Sequence, residues 1–173
     1  MAAARDVPVP DRGGLLASRY RGEHTAPVRT GRNTLDDLAD IYPDDVYSSQ
    51  GARIYGGGRR EDAVMDQRTI DVMRQARADP EAEVTIYRAV PEGVEEITPG
   101  DWVSLTEAYA ERHGSSWLDD RYDIIQKQVK ANDVVTIGDS LQEWGYAPVE
   151  EAPITPRRVR PDVEVQQYLP LGE

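Results

Sequence analysis

The stretch TIYRAVPEGVEEITPGDWVSLTEAYAERHG, residues 85–114, contains the change of period on which the fold depends. Before Pro80 the apolar residues recur at helical spacing; after it they alternate. Side chains point to opposite faces of a strand, so Val84, Ile86, Arg88 and Val90 share one face and Thr85, Tyr87 and Ala89 the other. Pro99, Gly100 and Asp101 supply the residues of a turn, proline presetting φ and glycine accepting a positive one. Trp102 to Leu105 then reads as a second strand. Thr106 reads as the cap of a helix that carries Glu107 in its first turn and ends near His113 and Gly114.

Upstream, the spacing predicts a helix from about Glu61 to Ala78, with Met65, Val72, Met73 and Ala76 along one apolar stripe. It follows Gly56, Gly57, Gly58, Arg59 and Arg60, a run that resembles a phosphate cradle because glycines let backbone N–H groups approach an anion. No strand leads into a GxGxxG or GxxxxGK[ST] pattern, which favours a plain loop. A short helix is expected from Thr34 through Leu35, Leu38 and Ile41, stopped by Pro43. Residues 1–32 mix Pro, Gly, Arg and Ala without a hydrophobic period and read as an irregular lead-in contributing little core; residues 33–173 read as a single domain. Downstream, strands are expected at Ile124 to Val129, Val134 to Ile137, Leu141 to Tyr146 and Val163 to Tyr168. Helices followed by a strand-rich half make an α+β fold, and no internal repeat is visible.

The 173 residues suit one domain with a substantial core, and 39% hydrophobic with 30% charged residues is a globular composition. The absence of cysteine excludes disulfides and thiolate metal sites and is natural in a reducing compartment. Met1 to Gly14 lacks the apolar run of a signal peptide, and no segment is long and apolar enough to span a membrane, so a soluble, cytoplasmic protein is expected. A net charge of -12 argues against a nucleic-acid backbone as the main partner. Arg157, Arg158 and Arg160, beside prolines, read as a solvated loop. His24 and His113 have no partner spacing for a metal, and none is expected.

Three positions carry chemistry. Arg88 puts a permanent charge on the face that otherwise holds Val84, Ile86 and Val90, and inward charges need a partner. It is either paired to a structural carboxylate or acts as an anion clamp, its planar fork matching phosphate oxygens. Ser104 sits one step before the helix cap Thr106, where a hydroxyl faces any cleft between strand and helix. Glu143 closes the pattern Ser140-x-x-Glu143, which matches a capping box. Trp144 to Pro148 is hostile to a helix, so Glu143 is read mid-strand, on the face opposite Gln142, Trp144 and Tyr146.

Together, Tyr87 and Arg88, then Ser104-Leu105-Thr106 before a helix containing Tyr109 and Ala110, then SLQEWGY around Glu143, resemble the Arg, Ser-Thr-Ser and Glu motifs of ADP-ribosyltransferases. The wider stretches are similar to ADP-ribosyltransferase-like domains of actinobacterial phages and prophages, from about Asn33 to Pro148. The resemblance implies a split β-sandwich with an N-terminal helical part and a cleft that binds NAD bent. Catalytic roles would fall to Arg88, Ser104 and Glu143, with Ser104 supporting Glu143. Tyr87, Arg88, Ala89, Ser104, Thr106 and Tyr109 would contact NAD, the Ala89 backbone beside the nicotinamide amide. Tyr109, or else Trp117, would pack on the nicotinamide ring.

By the same resemblance the loop of residues 136–140 would meet an acceptor, with Asp139, Leu141 and Gln142 as target-recognition positions. Leu141 stands where arginine-modifying relatives carry Glu and other relatives Gln. The activity implied is transfer of ADP-ribose from NAD to a macromolecular acceptor, a protein, in a bacterial host cell, as a toxin-like effector during phage infection. NAD hydrolysis and a non-catalytic acidic interaction module, in a virion or as a nucleic-acid mimic, are the alternatives.

Overall fold

The alternation that starts at Val84 becomes a nine-residue strand, β1 (Glu83–Pro91), in the computed structural model, which describes residues 26–118 and 121–149. Along one edge β1 pairs antiparallel with β3 (Tyr122–Lys130), from Glu83 opposite Lys130 to Pro91 opposite Tyr122. A second antiparallel sheet takes the order β2 (Trp102–Val103), β5 (Trp144–Tyr146), β4 (Val134–Val135). The two sheets meet at one residue pair on the other edge of β1, where Tyr87 N donates to Ser104 O and Ser104 N to Tyr87 O, both at 2.9 Å.

Three helices accompany the sheets: α1 (Gly51–Tyr55), α2 (Ala63–Ala76) and α3 (Glu107–Trp117). The α2 stripe is deeper than its spacing predicts. Met65, Met73 and Ala76 are buried as expected, Val72 is half-buried, and Asp66, Thr69 and Ile70 join the buried side. Ile70 and Met73 pack with Leu35, Leu38, Val46, Ile86, Val134 and Trp144 in one hydrophobic core. The described residues therefore form an α+β fold, with two small antiparallel sheets and three α-helices.

Four expectations need correction. Thr34 to Ile41 forms turns instead of a helix, because its main chain is claimed by β4: Leu35 N donates to Val134 O and Thr136 N to Asn33 O. Its apolar spacing still marks burial, with Leu35 and Leu38 inside the core. The lead-in contributes more than expected, since Ala26 and Pro27 are buried and Pro27 lies so close to Gly145 that no side chain fits there. The helix beginning at Glu107 runs a turn past His113, to Trp117. Leu141 and Gln142 form a turn, and the strand begins only at Trp144, so Glu143 precedes it. The expected strand at Val163 to Tyr168, the arginines at 157, 158 and 160, and His24 lie outside the described residues.

Gly56 to Gly58 is a loop, as read, and one of its glycines has a packing reason. A Cβ at Gly56 would collide with the Asp66 carboxylate, which accepts a hydrogen bond from Gly57 N at 3.1 Å. Among the described residues no helix is long and apolar enough to cross a membrane, and no group of three or more His, Cys, Asp or Glu could hold a metal ion.

Candidate functional site

Antiparallel register from the Tyr87–Ser104 pair would set Arg88 against Val103 and Ala89 against Trp102. The ladder does not continue there. Instead Arg88, Ala89, Trp102 and Val103 line a cavity of about 140 Å³ between the separating strands. Helix α3 contributes Tyr109, Ala110 and His113 to its wall, and Glu143 comes from the turn before β5. Positions far apart in the chain, Tyr87, Arg88, Ala89, Ser104, Tyr109 and Glu143, thus surround one space.

Each polar group is held differently. Arg88, buried as its alternation predicts, forms an ion pair with Asp101, a buried carboxylate that also accepts from Thr98 N at 2.8 Å and Thr98 Oγ1 at 3.2 Å. The pairing to a structural carboxylate is therefore real, and it spans the gap that the main-chain ladder leaves open. Ser104 Oγ accepts from Thr106 N at 3.0 Å and donates to Thr106 O at 2.8 Å, so the serine braces the start of α3. Thr106 is the N-cap residue, but its side chain makes no capping bond and lies 3.4 Å from Gln142 Oε1.

Glu143 is half-buried, and the partner of its carboxylate is Tyr109, whose hydroxyl donates to Oε1 at 2.7 Å. The bond expected from Ser104 to Glu143 is made by Tyr109 instead, since the Ser104 hydroxyl is occupied by the cap backbone. Tyr109 is in turn covered by the Arg112 guanidinium, 5.3 Å from its ring centroid, and Arg112 forms an ion pair with Asp62. The next rings along α3 follow at helical spacing: Tyr109 to His113 and His113 to Trp117 are each 6.3 Å between centroids. Trp117 is 65% exposed and outside the cavity lining.

Four cavity residues escape the sequence reading: Trp102, Val103, Ala110 and His113. Ending the helix near His113 hides that this residue falls four positions after Tyr109 on the same face of a helix that runs on to Trp117. Trp102 was read only as a strand residue, yet its indole N–H is buried beside the cavity with no acceptor among the described residues. A buried donor left without an acceptor costs roughly 1–3 kcal/mol.

The target-recognition positions divide. Asp139 is exposed in the loop of residues 136–140. Leu141 and Gln142 are not on the surface at all. Leu141 is in the core, and Gln142 accepts from Thr69 Oγ1 at 2.9 Å and donates to Asp66 Oδ1 at 2.8 Å. A turn whose apolar and amide side chains both insert inward leaves neither available to an incoming molecule.

Compared with protein-family models, curated proteins and solved structures, the chain matches none of them.

Proposed function

We propose that the protein is an NAD-dependent ADP-ribosyltransferase that cleaves the bond between nicotinamide and ribose and passes ADP-ribose to a macromolecular acceptor, using a split β-sandwich of the ADP-ribosyltransferase type. The observation that carries this reading is the convergence of Arg88, Ser104, Tyr109 and Glu143 on one cavity, with the Glu143 carboxylate facing it. A non-catalytic module gives no reason for these residues to meet.

Cavity size supports a division of the substrate. Sites that enclose a drug-sized ligand run to about 300–1,000 Å³, whereas 140 Å³ suits a single ring with its amide. Nicotinamide would occupy the space between Ala89, Trp102 and Tyr109, and the rest of the dinucleotide would lie along the mouth. The Trp102 indole N–H offers a donor to a carboxamide oxygen once the ring is bound.

In the reaction the C1′–N bond breaks with its electron pair going to nicotinamide, positive charge develops on the ribose, and the acceptor forms the new bond at C1′ while losing a proton. The Glu143 carboxylate stabilises that developing charge and accepts from the 2′-hydroxyl, interactions stronger in the transition state than in the ground state. Tyr109 holds the carboxylate in place. Arg88, fixed by Asp101, lines the wall beside Ala89 and would donate to the bound dinucleotide through guanidinium N–H groups that face the cavity.

One observation favours a second reading. With Leu141 and Gln142 turned inward, the segment before Glu143 offers an acceptor little to hold, which suits water as the acceptor and net hydrolysis of NAD. Nicotinamide release by the purified protein, with and without bacterial lysate and for wild type against Glu143→Ala, tests both. Release that depends on Glu143 supports the enzyme, and label on lysate macromolecules separates transfer from hydrolysis. No release in either condition, with no thermal shift by NAD, sinks the enzyme reading.

A further inference from the structure

A second groove, of about 490 Å³, opens between α1 and the start of α2, away from the cavity. Ser49, Gln50, Arg53, Arg59, Arg60 and Gln67 line it, and Gly58, in the left-handed region at φ 71°, turns the chain past it with open space where a side chain would be. The chain has 32 acidic residues against 20 basic ones; Arg32, Arg74, Arg77, Arg88 and Arg112 each form an ion pair with an aspartate, whereas Arg29, Arg68 and Arg121 pair with no carboxylate among the described residues.

The side chains of Arg59 and Arg60, both exposed, form neither an ion pair nor a hydrogen bond among the described residues, and the Arg53 side chain donates only to the neutral Gln50, at 2.8 Å. One carboxylate, Asp66, also lines the groove, and its two oxygens are taken up by Gly57 N and Gln142 Nε2; Asp62 pairs with Arg112, and Glu61 does not line the groove. Three guanidinium groups are thus gathered around one groove with no carboxylate committed to them, an arrangement in which they repel one another until a multivalent anion arrives.

We propose that this groove binds a compact polyphosphate group, as the phosphate chain of a nucleotide or as a short free oligophosphate. Guanidinium forks match phosphate oxygens in pairs, and Gln50, Gln67 and Ser49 add neutral donors. No aromatic side chain lines the groove, so it lacks the stacking platform of a single-stranded nucleic-acid channel. The acidic chain as a whole would also repel a long polyanion. The site stands apart from the NAD reading, and its test needs no turnover.

The test is an NMR titration of the full-length protein with inorganic tripolyphosphate, with ATP, and with a short thymidine oligonucleotide, following the amides of Gly56, Gly57 and Gly58 and of Ala89 and Ser104. Saturable shifts at the glycines, weakened about tenfold or more in R59Q/R60Q and also in R53Q, are the expected result. All three arginines are exposed, so the variants should keep the wild-type melting temperature. Equal affinity for tripolyphosphate and ATP identifies the phosphate chain as the whole ligand, and tighter ATP binding identifies a nucleotide. The proposal is overturned by shifts confined to Ala89 and Ser104, by affinity indifferent to the arginines, by no shift at about 5 mM tripolyphosphate, or by an oligonucleotide that binds more tightly than either.

Discussion

Asp66, hydrogen-bonded to the Gln142 side chain, and Glu143, the next residue along the chain from Gln142, have opposite surroundings. Asp66 is buried, with one oxygen accepting from Gly57 N and the other from Gln142 Nε2, so it ties α2 to the glycine loop and to the turn before β5. Glu143 is half-buried, its carboxylate takes one hydrogen bond among the described residues, from Tyr109, and it borders a cavity. A carboxylate whose acceptor sites are spent on main chain and amide is a structural clamp. One that keeps capacity toward an apolar cavity is positioned to meet a developing charge. The two acids are therefore told apart by their partners, which residue type alone does not reveal.

The sharpest way to break this comparison is to exchange the two deficits. Glu143→Gln is expected to lower nicotinamide release by about 10³-fold, roughly 4 kcal/mol of transition-state stabilisation, while leaving the denaturant midpoint close to wild type. Asp66→Ala should do the reverse, costing about 3 kcal/mol in urea unfolding because it leaves a buried amide and a backbone donor without acceptors. If Asp66→Ala leaves the midpoint unchanged, the clamp is not one. A wild-type release rate in Glu143→Gln would remove the reason for singling out that carboxylate.

An alkaline titration probes the core against which the clamp packs. Burial, and then Asp139, push the Tyr42 phenol from 10.0 up to about 12. Between those values the folded state keeps a proton that the unfolded state has lost, so stability falls as pH rises through the window. At about 1.4 kcal/mol per unit the loss reaches roughly 2–3 kcal/mol near pH 12. Burial raises Tyr47 in the same direction, and the Asp45 carboxylate raises Tyr55. Melting temperatures of Tyr42→Phe should fall less steeply than wild type above pH 10. The smallest effect is expected of Tyr109→Phe, which removes the one donor to the Glu143 carboxylate among the described residues. Nicotinamide release should drop about tenfold, near 1.4 kcal/mol, with stability changed by less than about 1 kcal/mol. An unchanged release rate would show that the carboxylate holds its own position.

Much of this was legible in the chain. The period change at Val84 announced β1, and the Pro99–Asp101 turn announced β2, because alternation and turn chemistry are local properties. Arg88 was read as inward-facing with a partner, though the identity of Asp101 was not, since an ion pair across two strands leaves no local mark. Thr34 to Ile41 was read as a helix because its apolar spacing was genuine; hydrogen bonds to Val134 and from Thr136, which sequence does not display, override the local preference. Glu143 and Gln142 were assigned to opposite faces through a strand that is in fact a turn, and a turn separates neighbouring side chains just as well. His113 was lost with the last helical turn, and the clamp at Asp66 was invisible because its partners lie at Gly57 and Gln142, on either side of it in the chain.

The single Tyr87–Ser104 pair has a further consequence. The width of the cavity is set by where main-chain pairing stops, not by how large the side chains around it are. Such an aperture is robust to residue replacement and vulnerable to length. One residue removed from the connection between Pro91 and Asp101 would shift the phase of β2 against β1, let the two backbones run on together, and seal the opening with every one of its chemical groups still present.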